Sequence, residues 1–363
     1  MPKKEELSIL TGNALLYFCY DVGTSIDLDA AEKALGATAE RLSLAVERLS
    51  PTYIQYRKKP LLVRLGQLRI TDAYTLEAIA KVYDFGVITI RLRMPLRGTF
   101  EDVRVCGEFQ NNTLLRAAAM KAFEGLRTKV ADFIDRPYDE NNTFEDYSIV
   151  HIEKFSKPVT GAELFARHSS VIARLLRCEP RALSAMELND SIKNPISYYT
   201  DDLAVIDAGA AFIYSPRHEY DVHDVIEYAI IELLELRHYD GVLDGVLEQS
   251  HKDVHGKSFG ITPFSRLHRE LAHVRIEVTD VVEKVENSLK LIGDMYLAKV
   301  YSIAAERFGL PQWKESVRNK LQTLQNIYSM LTERINGQRL MILEIIIAVT
   351  SVLFLFMDLF KKP

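Results

Sequence analysis

The chain has 363 residues, of which 48% are hydrophobic and 26% are charged, a balance typical of a folded protein with a sizeable core and not of a disordered one. Its formal net charge of -5 gives no broad positive surface, so we expect no nucleic-acid partner. The three cysteines are far apart and form no C-x-x-C pair, which is typical of a protein in a reducing compartment.

The N-terminal stretch "MPKKEELSILTGNALLYFCYD" begins with basic residues, but charged and polar residues interrupt its apolar run and no small-residue cleavage site follows. A secretory signal peptide needs both features. Together with the cysteine usage, this predicts that the bulk of the protein lies in the cytoplasm.

Residues 1–249 are predicted to form an α+β globular domain. The stretches "NALLYFCYDV", "PLLVRL" and "FEDYSIVHIEKF" have the apolar content of strands, and "DDLAVIDAGAAFIYS" is predicted as one further strand. Helical patterns stand between them, among them one after Asn112 or Thr113, either of which is a suitable N-cap. Interleaved helices and adjacent strand pairs favour a mixed sheet with flanking helices. A turn at residues 136–147 divides this domain into two halves in one interpretation.

The stretch "YDFGVITIRLRMPL" alternates apolar and polar residues, which predicts a strand with one buried and one solvated face. The predicted solvated face carries Val87, Thr89, Arg91 and Arg93, and the opposite face carries Ile88, Ile90, Leu92 and Met94. Arg97 and Arg104 extend the basic group. Because no aromatic residues interleave with these arginines, a solvated face is favoured over an RNA-binding platform.

The stretch "PRHEYDVHD", residues 216–224, is the densest group of potential metal ligands, which are His218, Glu219, Asp221 and His223. It also stands where a helix is predicted to begin, so Asp221 and Asp224 have a second interpretation as capping residues of that helix. The first interpretation gives a membrane-associated, metal-dependent hydrolase. Phosphate-loop, dinucleotide and nucleophile-elbow motifs are absent from the sequence, so no cofactor and no catalytic residue is predicted.

A linker is predicted at residues 250–261, followed by a helical stalk at 262–338. Apolar residues recur in heptads along this stalk, and its seam includes Leu271, Val278, Val285, Leu324 and Leu331. Gly309 and Pro311 mark a short turn, so the two helices of the stalk are predicted to form a long antiparallel hairpin. The seam packs against the rest of the chain in one interpretation and forms a coiled-coil oligomer in the other.

Residues 339–360 are predicted to form a single C-terminal transmembrane helix. The run from Leu340 to Met357 approaches the roughly 20 residues that a bilayer requires, and Glu344 is its only charge. A buried core helix and a helix lying in the membrane plane are the alternatives. Glu344 either reaches the near interface or faces a partner helix, where it would specify assembly. Basic residues flank the run, and they are Arg339, Lys361 and Lys362.

The layout from about residue 80 to 360 resembles a known family. It runs from "DLAVIDAGAAFIYS" into "EYAIIELLELRHYDGVLDGVL", then through "VRIEVTDVVEKVENSLKLIGDMYLAKVY" to a helix ending in "LMILEIIIAVTSVLFLF". This order is similar to that of the required-for-meiotic-nuclear-division proteins and their uncharacterised bacterial relatives, a family of unknown function. The resemblance implies an α+β domain, a helical pair, a hydrophobic C-terminal helix and a scaffold or anchoring role, and it implies no catalytic residues.

The leading hypothesis is therefore a single-pass membrane protein that is not an enzyme. Its cytoplasmic domain would be held near the lipid bilayer as a scaffold or adaptor for an unidentified protein partner, and the stalk and tail would make it a homo-oligomer. The metal-dependent hydrolase is one alternative. A transporter subunit that uses Glu344 as an ion relay is another, and it requires an oligomer because a single span cannot enclose a pore.

Overall fold

A computed structural model describes the chain over residues 7–41, 58–71, 74–102, 112–138, 144–216, 221–255 and 295–360, together with residues 269, 272, 275, 276, 278 and 279. The chain divides into two compact units. The first comprises Met1–Leu236 and Val281–Gln312, and the second comprises Arg237–Asp280 and Trp313–Pro363. The domain boundaries predicted from the sequence, at residues 249, 261 and 338, stay predictions.

The first unit is built on a mixed sheet of eight strands within the described residues. Ten strands are described, and they are β1 (Ser8–Asp21), β2 (Gly23–Ile26), β3 (Ala39–Arg41), β4 (Leu61–Thr71), β5 (Tyr74–Val82), β6 (Val87–Thr99), β7 (Ile134–Pro137), β8 (Phe144–Phe155), β9 (Leu203–Ile206) and β10 (Ala210–Tyr214). The order in the sheet is β3-β4-β5-β6-β1-β8-β10-β9, while β2 and β7 form a separate pair. Only the β8–β10 pairing in this sheet is parallel. The α+β class and the mixed sheet are confirmed.

The described helices are α1 (Leu28–Leu35), α2 (Thr113–Val130), α3 (Gly161–Leu176), α4 (Ala185–Ser191), α5 (Asp221–His255), α6 (Met295–Arg307) and α7 (Leu310–Phe360). Of the two predicted caps of α2, Asn112 and Thr113, the cap is Asn112, whose Oδ1 accepts from the backbone N–H groups of Leu114 and Leu115 at 3.0 and 3.4 Å. Thr160 caps α3 in a capping box with Glu163. Gly309, with φ of 70°, separates α6 from α7 in the left-handed conformation expected of it.

One face of the sheet is apolar. Leu16, Phe18 and Tyr20 of β1, with neighbouring residues of β5 and β6, pack against α1 and α2 in one cluster. Val150 and Phe212 belong to a second cluster, in which β8, β9 and β10 pack against α3. Burial of these side chains supplies the main driving force for folding of the first unit.

The opposite face is the one predicted to be solvated. That prediction was wrong for Val87 and Thr89, whereas the Arg93 side chain, farther along β6, is 41% exposed. Val87 and Thr89 are 0% and 1% exposed because the first part of α5 lies over this face. Residues 223–232 of α5 are all buried, so this part of the helix is enclosed on every side. Around Val87 and Thr89, the alternation of β6 therefore separates an apolar core from a buried polar layer, and not from water.

The stretch "DDLAVIDAGAAFIYS" also differs from its prediction as one strand. It forms the antiparallel hairpin of β9 and β10, closed by a hydrogen bond from the backbone N–H of Asp207 to the carbonyl oxygen of Ala210 at 3.0 Å. Gly209 and Ala208 lie in the turn, where the small side chains permit a tight reversal.

The second unit contains a parallel helix pair that was not predicted. Asp240 of α5 accepts hydrogen bonds from Ser316 at 2.6 Å and pairs with Lys320 of α7 at 2.8 Å, and Lys320 also contacts Asp244 at 2.6 Å. The residue numbers of the contacting partners increase in the same order along the two helices. The end of α5 and the beginning of α7 therefore run in the same direction. The predicted antiparallel hairpin stays a prediction, because most of its first helix lies outside the described residues.

Candidate functional site

The polar layer beneath α5 contains a buried ionic cluster of five residues, Lys81, Tyr83, Thr89, Asp224 and Glu227. Lys81 of β5 donates to Asp224 at 2.8 Å and to Glu227 at 2.6 Å. The second oxygen of the Glu227 carboxylate accepts from Thr89 at 2.6 Å and from Tyr83 at 3.0 Å. The Lys81 side chain is only 4% exposed, so its charge depends on these two carboxylates.

Electrostatics within this cluster keep Glu227 ionised. Burial would raise its pKa, but the charge of Lys81 and the hydrogen bonds from Lys81 and Thr89 outweigh burial, so the pKa is lowered below the ordinary value of a glutamate. Removal of one partner would leave an uncompensated buried charge, which is strongly destabilising.

Two buried histidines lie beside this cluster, where α5 begins. The rings of His151 in β8 and His223 in α5 are 4.8 Å apart between centroids, and both residues are at most 2% exposed. Burial lowers the pKa of His223 well below its ordinary value, and the positive charges of His151, Arg91 and Lys81 lower it further. His223 is therefore neutral at physiological pH.

An arginine cleft opens on the same face of the sheet. Its lining residues are Asn13, Leu15, Glu77, Ile79, Arg91, Arg93 and His151, and its volume of about 380 Å³ includes the space at its open mouth. Arg93 donates through Nε to Asn13 Oδ1 at 3.0 Å and pairs with Glu77 at 3.3 Å. The cleft is thus lined by two guanidinium groups and one carboxylate on adjacent strands.

The predicted ligand group of residues 216–224 is placed only in part. His218 and Glu219 lie outside the described residues. Asp221 begins α5 and is half-buried, while His223 is buried against His151 and Asp224 contributes to the ionic cluster. Within the described part of the chain, no group of three or more metal-binding side chains is found. The metal-site hypothesis for His218, Glu219, Asp221 and His223 stays untested.

The predicted stalk seam is partly described. Val278, Leu324 and Leu331 are at most 1% exposed, and all three belong to the second unit. Leu271 and Val285 lie outside the described residues. The described seam residues are therefore covered by the chain itself.

The C-terminal part of α7 has the opposite character. Leu310–Met357 is the helix in the described part of the chain that is long and apolar enough to cross a membrane, and none of its most apolar window is buried. Glu344 and Arg339 lie on this helix and are exposed, while Lys361 and Lys362 fall outside the described residues. Orientation with respect to a bilayer stays a prediction.

Sequence reasoning missed the residues that form the two polar features, chiefly Lys81, Glu227, Asn13, Glu77 and His151. One signal for them was available. The stretch "DVIEYAIIELLEL" is mostly apolar and keeps its four acidic residues on one side of a helix, so these residues require cationic partners if that side is buried. Lys81, within a run of small and apolar residues, is such a cation.

The fold and its polar layer define an α+β domain with an ionic cluster inside, followed by a long C-terminal helix. A comparison with known protein families agrees with this description. The chain belongs to the family described as "Uncharacterized protein MJ0711, N-terminal domain", whose model matches residues 11–221.

A curated relative extends this match beyond the domain. The uncharacterized protein MJ0711 of Methanocaldococcus jannaschii is 24% identical over 295 residues, which cover 78% of this chain and 85% of that protein. No solved structure matches the chain significantly. The predicted membership of a family of unknown function is confirmed, and neither match carries the meiotic-nuclear-division name.

Proposed function

We propose that the chain is a membrane-anchored scaffold or adaptor that holds its α+β domain near a lipid bilayer for a protein partner. The observation that carries this proposal is the end of α7, where Leu340, Ile347 and Phe354 are 62%, 56% and 74% exposed, as are their apolar neighbours. A contiguous apolar surface of this size is not stable in water, and a bilayer or a partner has to cover it.

The domain is proposed to lie in the cytoplasm and to carry out no chemistry of its own. Among the described residues, Cys19 and Cys178 form no disulfide, as is usual in a reducing compartment. The polar groups of the ionic cluster are buried and bonded to one another, an arrangement that stabilises a fold and is poorly accessible to a substrate. The resemblance in layout to the required-for-meiotic-nuclear-division proteins supports the same anchoring role.

Self-association is proposed to occur through the tail. Leu324 and Leu331 of the predicted seam are buried within the single chain, so they are not free to form a coiled coil. Glu344 stands among exposed apolar residues of α7, and an ionisable group within a bilayer is usually paired with a polar group of a neighbouring helix.

The test compares the full chain with a 1–338 fragment. We expect the full chain to float with liposomes and to resist extraction with carbonate, and the fragment to stay soluble and folded with the same near-ultraviolet circular dichroism. A fragment that is insoluble or unfolded would show that the tail belongs to the core of the protein. A full chain that stays in the aqueous fraction would refute the anchor.

The assembly step is tested by mass measurements in mild detergent. We expect the full chain to be an oligomer and both the fragment and the Glu344→Leu variant to be smaller. Glu333→Leu, which changes an exposed acidic residue of α7 upstream of the apolar run, is the matched control and should leave the mass unchanged. A monomeric full chain would refute self-association while leaving the anchor intact.

A further inference from the structure

The arginine cleft is not used by the proposed anchoring role. Its side chains project from four neighbouring strands of the sheet, in the order β5, β6, β1 and β8. In the register of these strands, Glu77 faces Arg93, Arg93 faces Leu15, and Asn13 faces His151. Facing residues of paired strands share one side of a sheet, so these groups converge on a rigid floor.

Hydrogen bonds fix the polar groups of this floor before any ligand arrives. Asn13 accepts from Arg93 and donates through Nδ2 to Glu153 at 3.3 Å. His151 Nε2 lies 3.3 Å from the carbonyl oxygen of Ser215. Since Asn13 and His151 are 5% and 2% exposed, little side-chain entropy remains to be lost on binding.

Charges of both signs act at the inner end of the cleft, since the carboxylates of Glu227 and Asp224 act on the guanidinium of Arg91. Arg91, with its Nε buried, lines the cleft, and its charge acts on His223 together with that of Lys81. Among the described residues that line the cleft, the acidic one is Glu77, which is exposed and already paired with Arg93. Planar guanidinium groups favour oxyanions because they offer several N–H donors in one plane.

We propose that the arginine cleft binds a small oxyanion group, a phosphate or a carboxylate, with Arg91 and Arg93 as its charged donors. The enclosed part of the cleft has a volume of about 30 Å³, room for about two water molecules, which suits one such group and not an entire nucleotide. A larger molecule would therefore present its anionic end to the cleft and extend from the mouth. This proposal is independent of the membrane anchor.

The test is calorimetric titration of the full chain in non-ionic detergent, at neutral pH and constant chloride. Inorganic phosphate is the first probe and acetate is the second, so that the two oxyanion classes are distinguished. We expect saturable binding of one of them with a Kd of about 1 mM or tighter. Absence of saturable binding for both probes would overturn the proposal.

Charge variants assign the binding to this cleft. Arg93→Gln should weaken binding by about tenfold or more, because it removes a charged donor. Glu77→Gln should instead tighten binding, because it removes the repulsive carboxylate and frees the guanidinium of Arg93. A change of fold stability alone would not shift the two affinities in opposite directions.

Arg97→Gln is the matched control, since Arg97 is an exposed arginine of the same strand that does not line the cleft. Its affinity should equal that of the wild type, and a loss as large as that of Arg93→Gln would show non-specific attraction and overturn the proposal. Arg91→Lys keeps the buried charge but loses the fork of donors, so binding should weaken. If Arg91→Lys does not fold, the opposite effects at Arg93 and Glu77 still decide the question.

Discussion

The ionic cluster beneath α5 and the tail of α7 each reverse the usual distribution of residues. The first buries Lys81, Asp224 and Glu227, and the second exposes an apolar run with a single carboxylate at Glu344. In the cluster, the Lys81 ammonium pairs with both carboxylates, so the charged groups have their partners within the chain. In the tail, the apolar surface is left uncovered by the chain, so its partner has to come from outside. The contrast separates a feature that stabilises the fold from one that indicates an environment.

Removal of the central cation should have the largest effect. We expect Lys81→Met to lower the free energy of unfolding by about 3 to 5 kcal/mol, because Asp224 and Glu227 would remain buried without their cation. Urea denaturation of the full chain in detergent, followed by circular dichroism, measures this change. Combining Lys81→Met with Asp224→Asn and Glu227→Gln should restore part of the loss. A decrease in the free energy of unfolding below about 1 kcal/mol would mean that water reaches the cluster in spite of its burial.

A charge in the tail should act on membrane insertion and not on folding. We expect Val349→Arg, near the centre of the apolar run, to disfavour insertion by about 2.5 to 3.5 kcal/mol. The fraction of protein that floats with liposomes should fall, while the unfolding transition of the α+β domain stays in place. Gln325→Arg, at an exposed position of α7 outside the run, should change neither quantity. Equal flotation of both variants would contradict a spanning helix.

Acidification should lower the free energy of unfolding because of His223, which lies beside the ionic cluster. Its pKa is about 6.5 in the unfolded chain and well below that in the folded one, so the unfolded state binds more protons as the pH falls below about 6.5. Stability should therefore decrease on acidification, by about 1.4 kcal/mol per pH unit for one proton. His238, whose pKa is lowered to about 4 by burial, adds the same trend. Asp21, whose pKa is raised to about 8, opposes it.

The difference between the wild type and His223→Leu isolates this contribution, because His238 and Asp21 act equally in both proteins. Urea denaturation at several pH values below about 6.5 should give a shallower loss of stability for the variant. Parallel stability curves would show that His223 is protonated to the same extent in both states.

The smallest effect is expected at an ion pair that water can reach. Arg64 and Glu40 are 2.7 Å apart, with side chains 71% and 54% exposed. Arg64→Ala should change the free energy of unfolding by less than about 1 kcal/mol, in the same denaturation experiment as Lys81→Met. Since both pairs have a similar separation, the ratio of the two effects measures the contribution of burial. Equal costs would show that exposure does not decide the strength of these pairs.

Local patterns predicted much of the secondary structure. The strand "FEDYSIVHIEKF", the cap at Asn112 and the helix break at Gly309 all follow from a few neighbouring residues, and all three were predicted. The length and composition of the tail likewise sufficed for the candidate span.

The polar layer was not predicted because it depends on contacts between distant segments. Alternation along β6 shows that its two faces differ, but it does not show that a helix more than a hundred residues downstream covers the face with Arg91. The heptad pattern of the stalk likewise predicts which residues are buried but not which distant residues they contact. It predicted that Leu324 and Leu331 are buried, and it did not indicate that Lys320 would bind Asp240 of α5.

The position of β1 has a consequence for how the protein acquires its structure. β1 is the first strand along the chain, yet it lies between β6 and β8, where Tyr17 faces both Arg91 and Tyr147. These pairings close long loops, and the entropy of loop closure slows folding when native contacts are distant in sequence. During synthesis, β1 therefore emerges well before β6 and β8, and the edge that pairs with β8 remains unpaired until β8 has left the ribosome. This long, apolar edge is exposed for that interval, which makes early capture by a chaperone valuable for this chain.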